Sequence, residues 1–83
     1  MTKIIYDIDR ELKIFYLIIE GRKIGFYLSN RLAKTFFDYL RKGVLVDFEV
    51  ATKRKKIHGK MYFQVAHFNR IISLEPHRVH YDL

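Results

Sequence analysis

The side chains best suited to binding chemistry in this chain lie in one short segment. Five of the eight residues from Lys53 to Lys60 are Lys or Arg, and His58 adds an imidazole. Lysine and arginine form charge-assisted hydrogen bonds with phosphate, and each contact with a nucleic-acid phosphate also releases condensed counterions. The segment therefore predicts an anion-binding loop, with these side chains in contact with the ligand: Lys53, Arg54, Lys55, Lys56, His58 and Lys60.

The positive charge of the chain is unevenly distributed. The formal net charge is +7, and residues 41–60 hold seven basic side chains against two acidic ones. Residues 2–20 are close to neutral, with three basic side chains against four acidic ones. One-sided charge favours a polyanionic partner. The alternative is a solvated charge run that keeps a β-hairpin soluble and blocks edge-to-edge aggregation.

The sequence offers little for catalysis or metal binding. Without cysteine, the chain has no disulfide, zinc–thiolate site or cysteine nucleophile. Two sets of possible metal ligands occur, His77 with His80, and the carboxylates Asp7, Asp9 and Glu11. The histidines lie in a predicted tail and the carboxylates flank a predicted turn, where solvated side chains are the more common outcome. We therefore predict no catalytic residue, no metal and no cofactor.

The apolar segments are too short for a membrane span. The longest, Ile14 to Ile19, has six residues, whereas about twenty are needed to cross a bilayer. No signal-peptide pattern opens the sequence. These features predict a soluble, cytoplasmic protein with no membrane partner.

Hydropathy periods predict a mainly β (α+β) single domain over residues 1–83. Alternation places Ile4, Tyr6 and Ile8 on one buried face, and Val44 to Val50 alternate in the same way. The run from Phe15 to Ile19 is apolar on both faces, which is typical of a strand covered on both sides. The predicted elements are strands at 3–8, 12–19, 23–28, 44–51 and 60–74, a helix at 30–42 and a tail at 76–83.

The helix and the turns have local signals of their own. Ser29 and Asn30 are N-cap residues, and Gly43 is a left-handed stop residue after the helix. Residues 20–22 and His58-Gly59 predict tight turns. The alternation blurs near residues 67–69, which predicts a bulge or bend in the last strand.

Three strands, a helix and two more strands follow the element order of the OB-fold, a five-stranded antiparallel barrel. The segments "LRKGVLVDFEV" and "GKMYFQVAHFNRI" resemble the last third of cold-shock and S1-like OB domains. "RKIGFY" is similar to the RNA-binding strand of cold-shock proteins at Gly25 and Phe26. Two departures are the full helix before the fourth strand and a very short first loop. The residues that carry the likeness in the two longer segments are Leu40, Gly43, Val46, Phe48, Glu49, Ala66 and Phe68.

This resemblance implies binding of single-stranded nucleic acid, RNA rather than DNA, without strong sequence preference. The basic loop would follow the backbone, and Arg22, Lys23 and Tyr27 would contribute charge and a stacking ring from the neighbouring sheet face. The other candidate stacking rings are Tyr16, Tyr62 and Phe15.

Two other interpretations remain open. One is a protein-interaction or regulatory module, phage-like in type, that docks its basic loop on an acidic protein or offers an edge strand for pairing. The other is a homo-oligomer, because Phe15 to Ile19 carries more apolar surface than one small core covers.

Overall fold

The computed structural model describes residues 1–72 and the backbone of residues 80–82. The prediction of a mainly β chain is confirmed. Helix α1 spans Asn30–Phe36 and is followed by a 3₁₀ turn at Phe37–Tyr39. In the described part of the chain no helix is long and apolar enough to cross a membrane. The strands are β1 Thr2–Ile4, β2 Asp7–Asp9, β3 Ile14–Ile19, β4 Arg22–Tyr27, β5 Leu45–Val50, β6 Lys55–Ile57, β7 Lys60–Ile72 and β8 His80–Asp82.

The strands form one sheet that is not closed into a five-stranded barrel. The strand order is β1-β5-β7-β4-β3-β2, and β6 and β8 also pair with β7. The sheet is not wholly antiparallel, since β4 and β7 run parallel at Phe26↔Phe63 and Tyr27↔Gln64. Both ends of the strand order, β1 and β2, come from the same N-terminal segment. The predicted five-stranded antiparallel barrel is therefore not observed, because the sheet has more strands, is not closed and contains one parallel pair.

The N-terminal segment breaks at Ile5 and Tyr6, where it changes its pairing partner. The Ile5 amide donates to the Val44 carbonyl and the Tyr6 amide to the Tyr16 carbonyl, both at 2.8 Å. The first half of the segment thus pairs with β5 and the second half with β3. Because of this break, the residues that the segment buries differ from the predicted ones. Ile5 is buried, whereas Ile4 and Tyr6 are 52% and 55% exposed.

Phenylalanine rings and aliphatic side chains together form the core. Phe15, Phe26 and Phe48 are fully buried, with ring centroids 5.1–5.6 Å apart. Strand β3 is covered on both sides at its start, where Phe15 is buried on one face and Ile14 on the other. The expected cover is lost toward its end, where Ile18 on the face of Ile14 is 40% exposed. Val50, predicted to point inward, is also exposed at the end of β5.

Helix α1 is shorter than the predicted 30–42. Its start follows the prediction, since the Ser29 hydroxyl accepts a hydrogen bond from the Leu32 amide at 3.3 Å. Residues 35–39 are Thr-Phe-Phe-Asp-Tyr, all of lower helix propensity than Ala or Leu. The tighter 3₁₀ turn aligns side chains three residues apart, and Phe37 and Leu40 are both buried. Gly43 has the expected positive φ of 87°, but its amide bonds to the Ile5 carbonyl and leads the chain into β5.

Strand β7 is irregular near residues 67–69, where the sequence predicted a bulge or bend. Its register with β5 shifts between Asp47 and Phe48 and again between Glu49 and Val50, which leaves Asn69 and Ala66 without opposite residues. The predicted tail is in part a strand, because β8 pairs antiparallel with Arg70–Ile72. Residues 73–74 of the predicted last strand and His77 lie outside the described residues, as does the side chain of His80.

Candidate nucleic-acid interface

The basic segment forms a tight hairpin. His58 and Gly59 have φ values of 49° and 78°, and positive φ at both central residues is the geometry of the two-residue hairpin turn that matches strand twist. This turn sets Lys55 opposite Tyr62 in the β6–β7 pair. Because alternate strand residues share a face, Lys60 lies on the same side as Tyr62.

Three tyrosines lie together on the sheet surface that faces away from the core, each with a lysine ammonium above its ring. We call this surface the tyrosine face. The Nζ–centroid distances are 4.5 Å for Lys23 over Tyr16, 5.4 Å for Lys55 over Tyr27, and 5.8 Å for Lys60 over Tyr62. The face consists of Tyr16, Tyr27, Tyr62, Lys23, Lys55 and Lys60.

Gly25 makes this packing possible. It lies opposite Tyr16 in the β3–β4 pair. A Cβ atom on Gly25 would lie 2.6 Å from Tyr62 Cδ1 and 3.1 Å from Tyr16 Cε1. A strand glycine often marks such close approach. The absence of a side chain at Gly25 therefore lets the two rings meet over β4.

The aromatic candidates differ in accessibility. Tyr16 and Tyr27 are half-buried, so part of each ring is open to a ligand. Tyr62 is only 9% exposed although it lies outside the main core cluster, so it supports the face rather than offering a free ring. Phe15 is fully buried in the core, and its prediction as a stacking ring is wrong.

Burial raises the pKa of Tyr16 above its ordinary 10.0, and repulsion from and hydrogen bonding with Tyr62 raise it further. We expect Tyr16 to ionise after exposed tyrosines. Because the folded-state pKa is raised, the stability that it contributes is present below pH 10 and is lost as pH rises through the folded pKa. The chain has no Trp, so a tyrosinate absorbance titration should show a late component that Tyr16→Phe removes. A late component unchanged in that variant would contradict the assignment.

A carboxylate at the edge of the face balances part of the positive charge. Asp7 Oδ2 lies 3.5 Å from Lys23 Nζ, and Asp7 Oδ1 lies 3.6 Å from Lys42 Nζ. A hydrogen bond from the Ile8 amide is the main cause that holds the pKa of Asp7 below its ordinary value. Lys23 is therefore partly neutralised, whereas no carboxylate in the described part of the chain lies within ion-pair distance of Lys55 or Lys60.

The two arginines of the predicted site lie away from the tyrosine face. Arg22 lines a pocket of about 340 Å³ with Ile24 and Phe26. The Arg54 guanidinium carbon is 4.8 Å from the centroid of Phe63, which lines the same pocket. The expectation that Arg22 shares a face with Lys23 and Tyr27 is thus wrong, because neighbouring strand residues point to opposite sides.

The remaining predicted site residues are exposed around the hairpin. Lys53, Lys56 and His58 all lie at the surface. Lys56 faces Met61 in the hairpin register and so points to the side opposite Lys55. These three residues can add to the local positive potential, but the structure does not bring them to the tyrosine rings.

Two contributions to the site were not predicted from the sequence. They are the charge balance by Asp7 and the close ring packing at Gly25. Asp7 alternates with the apolar Ile8 near the end of the predicted strand at 3–8. This pattern fits an ordinary solvated side chain equally well. Alternation along β4 puts Gly25 on the face of Tyr27, but nothing local indicates that Tyr62 packs over it. That contact depends on the pairing of β4 with β7, which are distant in sequence.

The described residues include no group of three or more histidines and carboxylates that could hold a metal ion. A scan of protein-family models and searches of curated proteins and solved structures found no match to this chain.

Proposed function

We propose that this chain is an open, OB-like module that binds single-stranded nucleic acid, RNA in preference to DNA, across the tyrosine face. The observation that carries the proposal is the lysine ammonium 4.5–5.8 Å above each of three clustered tyrosine rings. Single-strand binders combine aromatic rings that stack on bases with cations that follow the backbone. The tyrosine face provides both on one rigid sheet.

The energies favour exchange of the ammonium for a base. An exposed cation–π contact contributes about 0.5–1 kcal/mol, whereas a stacked base contributes about 1–3 kcal/mol. A base can therefore displace the lysine from Tyr16 or Tyr27, and the displaced ammonium can bind the neighbouring phosphate. Because sheet packing already orients both rings, stacking costs little conformational entropy.

The strand arrangement supports the OB-like assignment. OB-folds are partly open barrels that bind ligands on the face of their second and third strands and through the loop between their last two. Strands β3 and β4 carry Tyr16 and Tyr27, and the segment between β5 and β7 carries the basic hairpin. The N-terminal segment pairs with β5 through one half and with β3 through the other, which brings the two edges of the sheet toward each other.

Fluorescence anisotropy with labelled single-stranded RNA, single-stranded DNA and duplex DNA tests the proposal. We expect salt-sensitive binding with single strands preferred. Tyr27→Leu should weaken it by about fivefold or more, because one stacked base contributes at least 1 kcal/mol. Tyr27→Phe keeps the ring and should change affinity little. The control is Tyr39→Leu, which removes a tyrosine that is 41% exposed in the 3₁₀ turn.

Two results would count against the proposal. Equal affinity for single-stranded and duplex DNA would mean that the charge attracts any polyanion. If Tyr27→Leu loses no more affinity than Tyr39→Leu does, the tyrosine face does not stack bases.

A second candidate function is capture of an extended peptide by the open sheet edge. Among the described residues, none pairs with Leu17–Ile19 on the β2 side of β3. Ile4, Tyr6 and Ile18 line an adjoining groove of about 600 Å³. Exposed edges with apolar side chains accept an added strand. A partner peptide or a second copy seated there would protect the Ile18 amide from hydrogen exchange, and single-stranded RNA would not.

A further inference from the structure

One end of the sheet holds a pocket that the tyrosine face does not use. It has a volume of about 340 Å³, and Phe26, Phe63, Ile24 and Val50 are among the residues that line it. This volume lies at the lower end of the range for small-molecule sites, about 300–1,000 Å³. We call it the end pocket.

Two arginines favour the binding of an anion in the end pocket. Arg22 lines it, and the Arg54 guanidinium lies against the Phe63 ring. A guanidinium can lie against an aromatic ring and still present N–H donors to a phosphate. Across residues 1–72 no carboxylate lies within ion-pair distance of either arginine. Glu20 also lines the pocket, and a carboxylate can accept a hydrogen bond from the amino group of a base.

The end pocket adjoins the tyrosine face through consecutive residues. The Arg54 side chain contacts Phe63 at the pocket, and the next residue, Lys55, lies over Tyr27 on the face. A nucleic-acid strand with a phosphate bound to Lys55 therefore reaches Arg54 next along the hairpin. The hairpin places these two cations on opposite sides of the same sheet edge.

We propose that the end pocket takes up a single unstacked nucleotide of the bound strand. The base packs against Phe63 and Val50, the phosphate binds Arg22 and Arg54, and Glu20 favours bases that carry an exocyclic amino group. This inference rests on the proposed function, because a strand on the tyrosine face delivers the nucleotide to the pocket.

Titration of the ¹⁵N-labelled full chain with cytidine 5′-monophosphate tests the inference by amide chemical shifts. We expect saturable shifts at Arg22, Ile24 and Phe63, with Tyr16 on the tyrosine face unmoved. Ribose 5-phosphate, which lacks the base, should bind at least about fivefold more weakly, as expected when most of the contact is apolar.

Charge-matched variants make the test specific. Arg54→Gln should weaken cytidine 5′-monophosphate binding by about fivefold or more, because it removes a planar, phosphate-binding guanidinium. Arg31→Gln removes the same charge from an exposed position on helix α1 and should change it by less than about twofold, as expected of an exposed charge. Equal effects of the two variants would overturn the pocket assignment.

The outcomes separate this inference from the proposed function. If the nucleotide shifts Tyr16 and not Phe63, it binds the tyrosine face, and the end pocket is overturned while the proposed function stands. If oligonucleotides fail to bind but the nucleotide shifts Phe63, the pocket stands and the proposed function fails. No saturable shift anywhere overturns the pocket.

Discussion

Replacing Lys55 and Lys60 together by glutamine should lower the affinity for single-stranded RNA by about 100-fold or more at low salt. The physical reason is the loss of two charge-assisted phosphate contacts, each contributing about 1.5 kcal/mol or more. The slope of log K against log salt should also fall by about 1.4, since each single-strand phosphate contact contributes about 0.7. Anisotropy titrations at several salt concentrations measure both quantities.

The control for this double variant removes the same charge elsewhere. Arg31→Gln with Lys34→Gln takes two exposed cations from helix α1. We expect the control to lose much less affinity, because its charges act only through long-range attraction that salt screens. Equal losses in the two variants would show that net charge, and not the tyrosine face, governs binding. Both variants alter exposed side chains and should leave the melting temperature nearly unchanged.

Gly25→Ala should destabilise the fold by about 1–3 kcal/mol, as overpacking of a filled site does. The added Cβ would meet Tyr62 Cδ1 at 2.6 Å and Cε1 at 2.8 Å, so the Tyr62 ring must move. Its neighbour Tyr16 must shift too, and we expect nucleic-acid affinity to fall with the stability. Urea unfolding gives the change in the free energy of unfolding, and anisotropy gives the affinity.

A second background isolates the cause. In a Tyr62→Ala chain the clashing ring is absent, so Gly25→Ala should be neutral or stabilising by up to about 1 kcal/mol, the usual gain when a strand glycine becomes alanine. If Gly25→Ala costs the same stability in both backgrounds, the cost comes from the backbone and the packing argument fails. A double-mutant cycle measures this coupling directly.

Several features of this protein followed from short-range sequence signals. The His58-Gly59 turn was predictable because a Gly-containing pair between two strand-like runs favours positive φ. That turn alone sets the register in which Lys55 faces Tyr62. Ser29 similarly predicted the start of helix α1, since its hydroxyl accepts a backbone amide. The basic character of the hairpin was plain from composition.

The end of the helix was harder to predict. Hydrophobic spacing continued to Leu40, but the helix stops at Phe36 and a 3₁₀ turn follows. Local propensity over residues 35–39 is weak, and the burial of Phe37 and Leu40 in the core selects the tighter turn. Periodicity alone does not separate an α-helix from a helix that tightens at its last turn.

Local sequence signals were enough to predict that the chain is mainly β, that one hairpin carries most of the excess charge, and where the turns of that hairpin and of residues 20–22 fall. Three features could be seen only in the folded chain: the break of the N-terminal segment at Ile5, the packing of Tyr62 over Gly25, and the placement of Arg54 and Lys55 on different sides of the sheet. The two groups differ in the sequence separation of the residues that interact. Turn geometry and side-chain alternation depend on adjacent residues, whereas the parallel pairing of β4 with β7 depends on how the whole aromatic core packs.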